Sequence, residues 1–275
     1  MSSRAPRRHT GMSTGTDTVM DTDRSIREGY AAVNGLQMYW RSVGEAGTPL
    51  VLVHGGFGLA DMFGDVVDQL AQRRRVVAVE LQGHGRTADT DRPFTPAGHA
   101  ADVVGLLDHL GIESAHVFGH STGAAVALEL AINHPSRVRS VVPASASVRA
   151  SGMHPDLTDP ARMATSTRMP TAEDFAAMQE AYARLSPTPD RFDAFLAKMS
   201  AANADLEGWT DDQLAGITAP VLLVIGDRDF TTVEHGALML ELIPGAQLAV
   251  LPDTTHMQVT RRADLLLPML AEFLD

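Results

Sequence analysis

A serine flanked by two glycines occurs in the segment GHSTG at 119–123, directly after the apolar segment 115–118 and before the helix-like segment 124–133. A strand, a sharp turn and a helix in this order expose a serine side chain at the carboxyl end of a sheet. Glycines are needed because the turn brings backbone segments too close together for side chains. The helix N-terminus beside the serine favours developing negative charge. The pattern predicts Ser121 as a nucleophile, and the alternative is a tight turn with an idle serine.

The same five-residue pattern also occurs as GMSTG at 11–15, where no strand-like segment precedes it and no helix-like segment follows it. We therefore reject this copy, since the pattern predicts a nucleophile only between a strand and a helix. Residues 1–24 around it are rich in Ser, Thr, Asp and Arg and have almost no large apolar side chains, so we expect a disordered tail.

A serine at its ordinary pKa is a poor nucleophile and needs a base. In the chain order of nucleophile, acid and histidine, the base comes last. The histidines after the serine are His134, His154, His235 and His256. His256 follows the strand-like segment 247–251 and precedes the last helix-like segment, which predicts that it is the base. His134 ends a helix-like segment and is expected to cap it, and His154 and His235 are expected to be solvated or packed.

The acid that orients the histidine is expected in GDRD at 226–229, after the strand-like segment 220–225. Both aspartates are candidates, and we favour Asp229 because it lies deeper in the loop. Asp227 is expected to shape the turn, and Asp253 to be a surface turn residue. No carboxylate directly follows the strand-like segment 138–142, which is another common position for the acid.

Two hydrogen-bond donors are needed to stabilise an oxyanion. The backbone N–H of Thr122, the residue after the serine, is one candidate. The other is expected from the loop HGGFG at 54–58, which follows the strand-like segment 49–53. We favour the N–H of Gly56 as this second donor, with that of Phe57 as the alternative. If the loop has no catalytic role, it is a plain glycine turn.

Apolar runs alternate with segments of helical spacing along most of the chain, which predicts an α/β fold with a mostly parallel, doubly wound sheet of about eight strands. Asn34-Gly35 is typical of a two-residue hairpin turn at the start of this sheet. The predicted strand segments are 30–33, 36–40, 49–53, 75–81, 115–118, 138–142, 220–225 and 247–251.

The alternation stops between 149 and 214, where two helical stripes replace the strand-like runs. Thr171 and Asp174 have the spacing of a capping box at the start of the first stripe. We predict a core of residues 25–148 and 215–275 and a helical cap of residues 149–214.

The predicted cap contains five of the 13 methionines and three of the nine phenylalanines. Flexible thioethers and aromatic rings suit an apolar, moderately bulky substrate. The alternative is that these side chains only pack the cap against the core. The candidate substrate-binding residues are Phe57, Met62, His120, Met153, Met178, Phe195 and Met257.

The overall composition excludes several classes of function. A formal net charge of −12 disfavours nucleic acid and anionic lipid as partners. The chain has no cysteine, which excludes disulfides and thiolate metal sites. The histidines have no metal-ligand spacing, so we expect no metal and no cofactor. Because no apolar run is long enough to span a membrane and no secretory signal is recognisable, we expect a cytoplasmic protein. The oligomeric state stays open, with a homodimer as one alternative.

These motifs resemble those of the capped α/β-hydrolase superfamily, in its esterase, lactonase and cofactor-free perhydrolase-like branch. The matching pieces lie in family order and are HGGFG at 54–58, LQGHGR at 81–86, GHSTG at 119–123, GDRD at 226–229 and His256. The resemblance implies a Ser121–Asp229–His256 triad and an oxyanion hole from Gly56 and Thr122. Two departures are Glu80, where many relatives have Asp, and Ala124-Ala125, where a glycine run is usual.

The leading hypothesis is hydrolysis of a small-molecule ester or lactone through an acyl-enzyme. One alternative is hydrolysis of a carbon–carbon bond in a diketone-like compound by the same triad. Another is a non-catalytic small-molecule receptor on the same fold, since such receptors can keep the triad. A serine at 121 argues against haloalkane dehalogenases and epoxide hydrolases, which have an aspartate there.

Overall fold

The structure is a computed structural model that describes residues 25–204 and 208–275. Its strands are β1 (Ile26–Val33), β2 (Leu36–Val43), β3 (Leu50–Val53), β4 (Val76–Val79), β5 (Ala115–His120), β6 (Val138–Ala144), β7 (Leu222–Arg228) and β8 (Gln247–Thr255). They form one sheet in the order β1-β2-β4-β3-β5-β6-β7-β8. The predicted sheet of eight strands is therefore confirmed, and the predicted tail, residues 1–24, lies outside the described residues.

The sheet is antiparallel at one edge and parallel elsewhere. β1 and β2 pair antiparallel, and β2 pairs antiparallel with β4, whereas every later pairing is parallel. The β1–β2 turn has positive φ at Asn34 (46°) and Gly35 (82°), as a two-residue hairpin turn requires. β3 and β4 are buried at every position, because helices cover both faces of the parallel part.

The helices are α1 (Asp65–Leu70), α2 (Pro96–His109), α3 (Thr122–Asn133), α4 (Pro155–Thr158), α5 (Pro160–Met163), α6 (Ala172–Leu185), α7 (Phe192–Ala204), α8 (Asp211–Ala215), α9 (Val233–Leu242) and α10 (Ala263–Phe273). Side chains of α2, α3 and α9 pack in one apolar cluster, on one face of the sheet. Side chains of α1 and α10 pack in a second cluster on the other face. The fold is therefore doubly wound. No helix in the described ranges is both long enough and apolar enough to cross a bilayer.

The chain between β6 and β7 forms the helices α4 to α8, and outside residues 205–207 it contains no strand. α6 begins with the predicted capping box between Thr171 and Asp174. Trp209 and Leu214, near the end of the predicted cap, pack in the main core with the side chains of α2 and α3. The short helix α8 thus leads the chain back to β7. The division into a core and a cap stays a prediction.

The parallel strands bring distant parts of the sequence to one edge of the sheet. The carboxyl ends of β3, β5, β6, β7 and β8 lie on the same side because these strands run in the same direction. The candidate loop 54–58, Ser121, Asp229 and His256 follow β3, β5, β7 and β8. In α/β sheets this edge is where ligands bind.

Candidate active site

Ser121 lies in a sharp turn between β5 and α3, and its backbone has φ 54° and ψ −114°. An L-residue rarely adopts this conformation, so the surrounding structure must hold it. A Cβ on Gly119 would collide with the backbone of Gly123, and a Cβ on Gly123 would collide with the carbonyl oxygen of Val53. Only hydrogen fits at these two positions. The glycines of the motif thus permit the close approach of β3, β5 and α3.

The turn is also fixed by backbone hydrogen bonds. The N–H of Ser121 donates to the carbonyl oxygen of Ala144 at the end of β6, at 2.9 Å. The carbonyl oxygen of Ser121 accepts from the N–H groups of Ala124 and Ala125 at 2.8 and 3.1 Å, and the bond from Ala125 begins the i→i−4 ladder of α3. Ser121 is therefore the N-cap of a twelve-residue helix, whose N-terminus favours nearby negative charge.

His256 and Asp229 form a buried pair. His256 Nδ1 lies 2.6 Å from Asp229 Oδ1, and the two side chains are 7% and 0% exposed. His256 is the first residue of a 3-10 helix, His256–Arg261, that follows β8. Asp229 follows β7. The ends of β7 and β8 thus supply a carboxylate and an imidazole that contact each other, and their catalytic roles stay a prediction.

The Asp229 carboxylate accepts hydrogen bonds on both oxygens. Oδ1 accepts from the N–H of Phe230 at 2.6 Å in addition to His256. Oδ2 accepts from the Ser145 hydroxyl at 2.6 Å and from the N–H of Gly226 at 3.1 Å. Burial by itself would raise the pKa of Asp229, but the hydrogen bonds from His256 and Ser145 outweigh it and lower the pKa to about 2. Asp229 is therefore ionised near neutral pH.

Asp227 and Asp253, the other aspartates that the sequence offers close to His256, have different partners. Asp227 accepts hydrogen bonds from the N–H groups of Asp253 and Thr254, at 2.9 and 3.0 Å. These bonds lower the pKa of the Asp227 carboxyl. Asp253 is exposed, has φ 46°, and pairs with Arg228. Asp227 and Asp253 thus shape the last residues of β8, directly before His256, and neither carboxylate is hydrogen-bonded to the imidazole.

Two neighbours of the His–Asp pair were not identified from the sequence. Ser145 directly follows β6, a strand end that we considered only as a position for the acid. Its φ of 58° and its hydroxyl contact with Asp229 make it part of the site. Phe230 stacks on the His256 ring, with centroids 3.9 Å apart and planes 8° apart. The position of Ser145 directly after a strand could have indicated that it belongs to the site. No feature of the sequence indicates that Phe230 stacks on His256.

Ser121 and His256 line the same cavity, which has a volume of about 310 Å³. This volume is sufficient for a small organic molecule. Candidate residues in its wall are Gly56, Phe57, Met62, His120, Met178 and Met257. The other wall residues, which were not predicted from the sequence, are Gly55, Gly58, Leu59, Asp61, Asp174, Ala177, Ala181, Thr260 and Arg261. Most of the wall is apolar, and charged side chains contribute at three positions.

Two candidate substrate-binding residues do not line this cavity. Phe195 is 1% exposed and packs with Phe94, Tyr182 and Met199, and it lines only a small adjoining cavity of about 10 Å³. Met153 forms an isolated bridge with Thr231. The prediction used residue type and cap membership, and neither reveals which face of a helix or loop is turned towards the cavity.

The loop after β3 approaches the serine closely. A Cβ on Gly55 would lie 3.2 Å from Ser121 Cβ and 2.8 Å from His120 Nδ1. A Cβ on Gly56 would lie 3.4 Å from Thr122 Oγ1. The loop turns at this point, since the N–H of Gly58 donates to the carbonyl oxygen of Gly55 at 3.0 Å. The structure thus brings both predicted oxyanion donors, Gly56 and Thr122, side by side.

His120 is buried next to His256. Its Nε2 lies 3.0 Å from the carbonyl oxygen of His256, to which it donates, and the two ring centroids are 4.8 Å apart. Burial and the neighbouring His256 lower the pKa of His120 to about 3, so it is neutral near pH 7. Its Nδ1 is then an acceptor, and it has no hydrogen-bond partner among the described residues.

The remaining candidate bases have structural contacts. His134 is the C-cap of α3, and His154 caps the N-terminus of α4 by accepting from the N–H of Asp156. His235 is buried in α9 and accepts from the N–H of Val148 at 3.0 Å. Burial lowers the pKa of His235. Over residues 25–204 and 208–275, no three His, Asp or Glu side chains are close enough together to hold a metal ion.

Comparison with known protein families matches residues 50–266 to the model of an alpha/beta hydrolase family. The chain belongs to this family. The match runs from β3 to the first turn of α10, and so includes the loop after β3, the serine turn and the His–Asp pair.

Individual relatives differ in activity and in coverage. The chain is 43% identical over 112 residues to the dihydrolipoyllysine-residue acetyltransferase component of the acetoin cleaving system of Pseudomonas putida, a match that covers 40% of the chain. The aligned part spans only 30% of that relative's length. The chain is also 27% identical over 273 residues to 2-hydroxy-6-oxononadienedioate/2-hydroxy-6-oxononatrienedioate hydrolase 2 of Pseudomonas putida. This alignment covers 91% of the chain and 94% of the relative.

Among solved structures, the enol-lactonase from Burkholderia xenovorans LB400 superposes with a TM-score of 0.71. It is 25% identical in sequence, and the superposition covers 89% of this chain and 99% of the lactonase. The oxononadienedioate hydrolase and the enol-lactonase thus each align with about nine tenths of the chain, and their names give different substrates.

Proposed function

We propose that the chain is a serine hydrolase that cleaves a carboxylic ester or a lactone of an apolar small molecule, with Ser121 as nucleophile, His256 as base and Asp229 as the orienting acid. One observation carries this proposal: Ser121, in its strained turn, shares a cavity with His256, whose Nδ1 is bound to the buried carboxylate of Asp229. Serine hydrolysis uses a serine hydroxyl, an imidazole that takes its proton and a carboxylate that orients the imidazole.

The ionised carboxylate fixes the proton arrangement of the imidazole. Because Asp229 has a pKa of about 2, Oδ1 can only accept, and His256 Nδ1 carries the hydrogen. Nε2 then has a free lone pair, which can take the proton of the Ser121 hydroxyl. The neighbouring negative charge stabilises the imidazolium that results.

In the first half of the reaction, Ser121 Oγ bonds to the carbonyl carbon while its proton passes to His256 Nε2. The negative charge that develops on the carbonyl oxygen is stabilised by the N–H of Thr122 and by that of Gly56, with Phe57 as the alternative donor. The bond to the leaving alkoxide breaks as His256 returns the proton to it. In a lactone the released hydroxyl stays attached to the acyl group.

In the second half, a water molecule transfers a proton to His256 and attacks the acyl carbon. The bond to Ser121 Oγ breaks, Ser121 regains the proton, and the carboxylic acid leaves. The cavity of about 310 Å³, with Met62, Met178 and Met257 in its wall, suits an apolar acyl or alcohol group. The similarity to the enol-lactonase supports the lactone alternative.

The test is labelling with a fluorophosphonate followed by mass spectrometry, together with turnover of p-nitrophenyl acetate. We expect one phosphonylated residue, Ser121, and multiple-turnover release of p-nitrophenol that Ser121→Ala abolishes. Labelling elsewhere, or equal turnover by Ser121→Ala, would refute the proposed nucleophile. Stoichiometric binding without turnover would instead favour the small-molecule receptor.

A second function is favoured by one specific observation. The Pseudomonas putida hydrolase that aligns over 91% of the chain is named for acting on an oxononadienedioate, a carbon-chain compound without an ester. The same triad would then cleave a carbon–carbon bond in a diketone-like compound. Parallel spectrophotometric assays with a lactone, an aryl ester and such a compound would rank the two functions by kcat/KM.

A further inference from the structure

The loop that follows β3 contains a backbone conformation that its residue does not favour. Phe57 has φ 59°, in the left-handed region, where residues other than Gly, Asn and Asp are uncommon. Phe57 lies between Gly56 and Gly58, in the turn closed by the Gly55–Gly58 hydrogen bond. The orientation of the N–H groups at 56 and 57 depends on this turn, so something must hold it in place.

Helix α7, from the segment between β6 and β7, packs directly on this loop. The Phe57 ring meets Phe195 edge-to-face, with centroids 5.3 Å apart and planes 84° apart. One helical turn later, the terminal methyl of Met199 lies against Gly56, where a Cβ would collide with it. Phe195 and Met199 are 1% and 6% exposed. Consecutive turns of one helix thus cover consecutive residues of the loop.

A buried ion pair fixes α7 relative to the core. Lys198 Nζ lies 2.9 Å from both carboxylate oxygens of Asp89, whose side chain is fully buried, and it also donates to the carbonyl oxygen of Thr90. Asp89 accepts a further hydrogen bond from Gln82 in the segment after β4. Because Lys198 lies between Phe195 and Met199 in the helix, this ion pair sets the position of both side chains over the loop.

We propose that α7 is a positioning element for oxyanion stabilisation: Phe195 and Met199 hold the loop 55–58 in the left-handed turn that aims its backbone N–H groups at the serine. This inference rests on the proposed function. It differs from a substrate-binding role because Phe195 acts through Phe57. Phe195 lines only a small adjoining cavity of about 10 Å³, whose wall includes neither Ser121 nor His256. A contact that serves only to bind substrate would change KM, whereas misaimed donors lower kcat.

The pair Phe57→Ala and Phe57→Gly separates backbone conformation from ring contacts. Both variants lose the ring, so changes in KM should be alike. Glycine adopts positive φ freely and alanine does not. We expect kcat for p-nitrophenyl butyrate to be about tenfold lower in Phe57→Ala than in Phe57→Gly. Equal kcat values in the two variants would overturn the proposal.

Hydrogen–deuterium exchange of the full chain tests the same proposal without using activity. Phe195→Ala is expected to speed exchange in a peptide covering the loop 55–58 and to leave β3 unchanged. The matched control is Leu196→Ala, a similar truncation at the next, half-buried residue of α7, which should exchange like the wild type. Unchanged loop exchange in Phe195→Ala would also overturn the proposal. If the wild type fails to hydrolyse any ester, the proposed function fails, and the exchange experiment still decides what α7 does.

Discussion

Replacing Asp229 by asparagine tests how the buried carboxylate contributes to catalysis. In the wild type, four donors point at its two oxygens: the His256 ring N–H, the N–H of Phe230, the Ser145 hydroxyl and the N–H of Gly226. A side-chain amide has only one oxygen that can accept hydrogen bonds. Whichever way the introduced amide points, its NH₂ group faces two former donors.

One of the two orientations is favoured by these contacts. With the amide oxygen towards His256, the Ser145 hydroxyl can rotate and accept from the NH₂ group, and only the N–H of Gly226 loses its acceptor. This orientation keeps the hydrogen on His256 Nδ1. What the variant loses is the negative charge beside the imidazolium, in a site where His256 is 7% exposed and Asp229 is fully buried.

Removing one partner of a buried charge pair typically costs about 3–5 kcal/mol. Because the imidazolium exists only during the reaction, the loss should fall on the barrier. We therefore expect kcat for p-nitrophenyl butyrate to fall about 10²- to 10⁴-fold with little change in KM. The rate of fluorophosphonate labelling at Ser121 should fall in parallel.

Asp227→Asn is the matched control, since it makes the same chemical change two residues away. The Asp227 carboxylate accepts from the backbone of Asp253 and Thr254 and has no contact with the imidazole. We expect this variant to keep kcat within about threefold. Equal losses in the two variants, with circular dichroism showing that both are folded, would refute the assignment of Asp229 as the orienting acid.

Three further predictions concern the surroundings of the site. Ser145→Ala removes a 2.6 Å hydrogen bond to a buried carboxylate, so urea denaturation should show an unfolding free energy lower by about 1.5–3 kcal/mol. Ser145→Gly, which also relieves the φ of 58°, should recover about 1 kcal/mol of this loss, and no difference between the two would contradict the strain argument. Gly123→Ala should lower Tm by more than about 10 °C or prevent folding, because its Cβ would meet the carbonyl oxygens of Val53 and His54; a Tm near the wild-type value would show that the turn tolerates a side chain. Acid should also destabilise the fold: the pKa of Asp229 is lowered from 3.8 to about 2 in the folded chain, so its stabilising contribution is present above about pH 4 and is lost as the pH falls towards 2. This contribution is on the order of 2 kcal/mol, and in denaturation curves at pH 5, 4, 3 and 2 Asp229→Asn should show a shallower decline than the wild type.

Much of the fold could be predicted because its signals are local. The apolar run at 50–53 is typical of a strand covered on both faces, and the turn at Asn34-Gly35 needs only the two residues themselves. The order of strands and helices then implies a parallel sheet whose carboxyl ends meet. The positions of Ser121, Asp229 and His256 at those ends follow from chain order alone, and in the structure Asp229 and His256 are in contact.

Contacts between elements far apart in sequence could not be predicted in this way. Ser145 joins the site because β6 lies between β5 and β7, and the hydroxyl then reaches Asp229 across 84 residues of sequence. Phe195 and Met153 were placed at the cavity by residue type, yet Phe195 packs in an aromatic cluster and Met153 lies beside Thr231. Sequence periodicity predicts which residues share a face of a helix, but it does not predict which other element that face contacts.

Short segments of the sequence were enough to identify the residues that could do chemistry, because a strained serine turn, an acid and a late histidine each have recognisable spacing. The folded chain was needed to show that Asp229 rather than Asp227 meets the imidazole, and that α7 lies on the loop of Gly56 and Phe57. These two kinds of information differ because spacing along the chain fixes local conformation, whereas contacts between distant segments depend on how the helices and the sheet pack together.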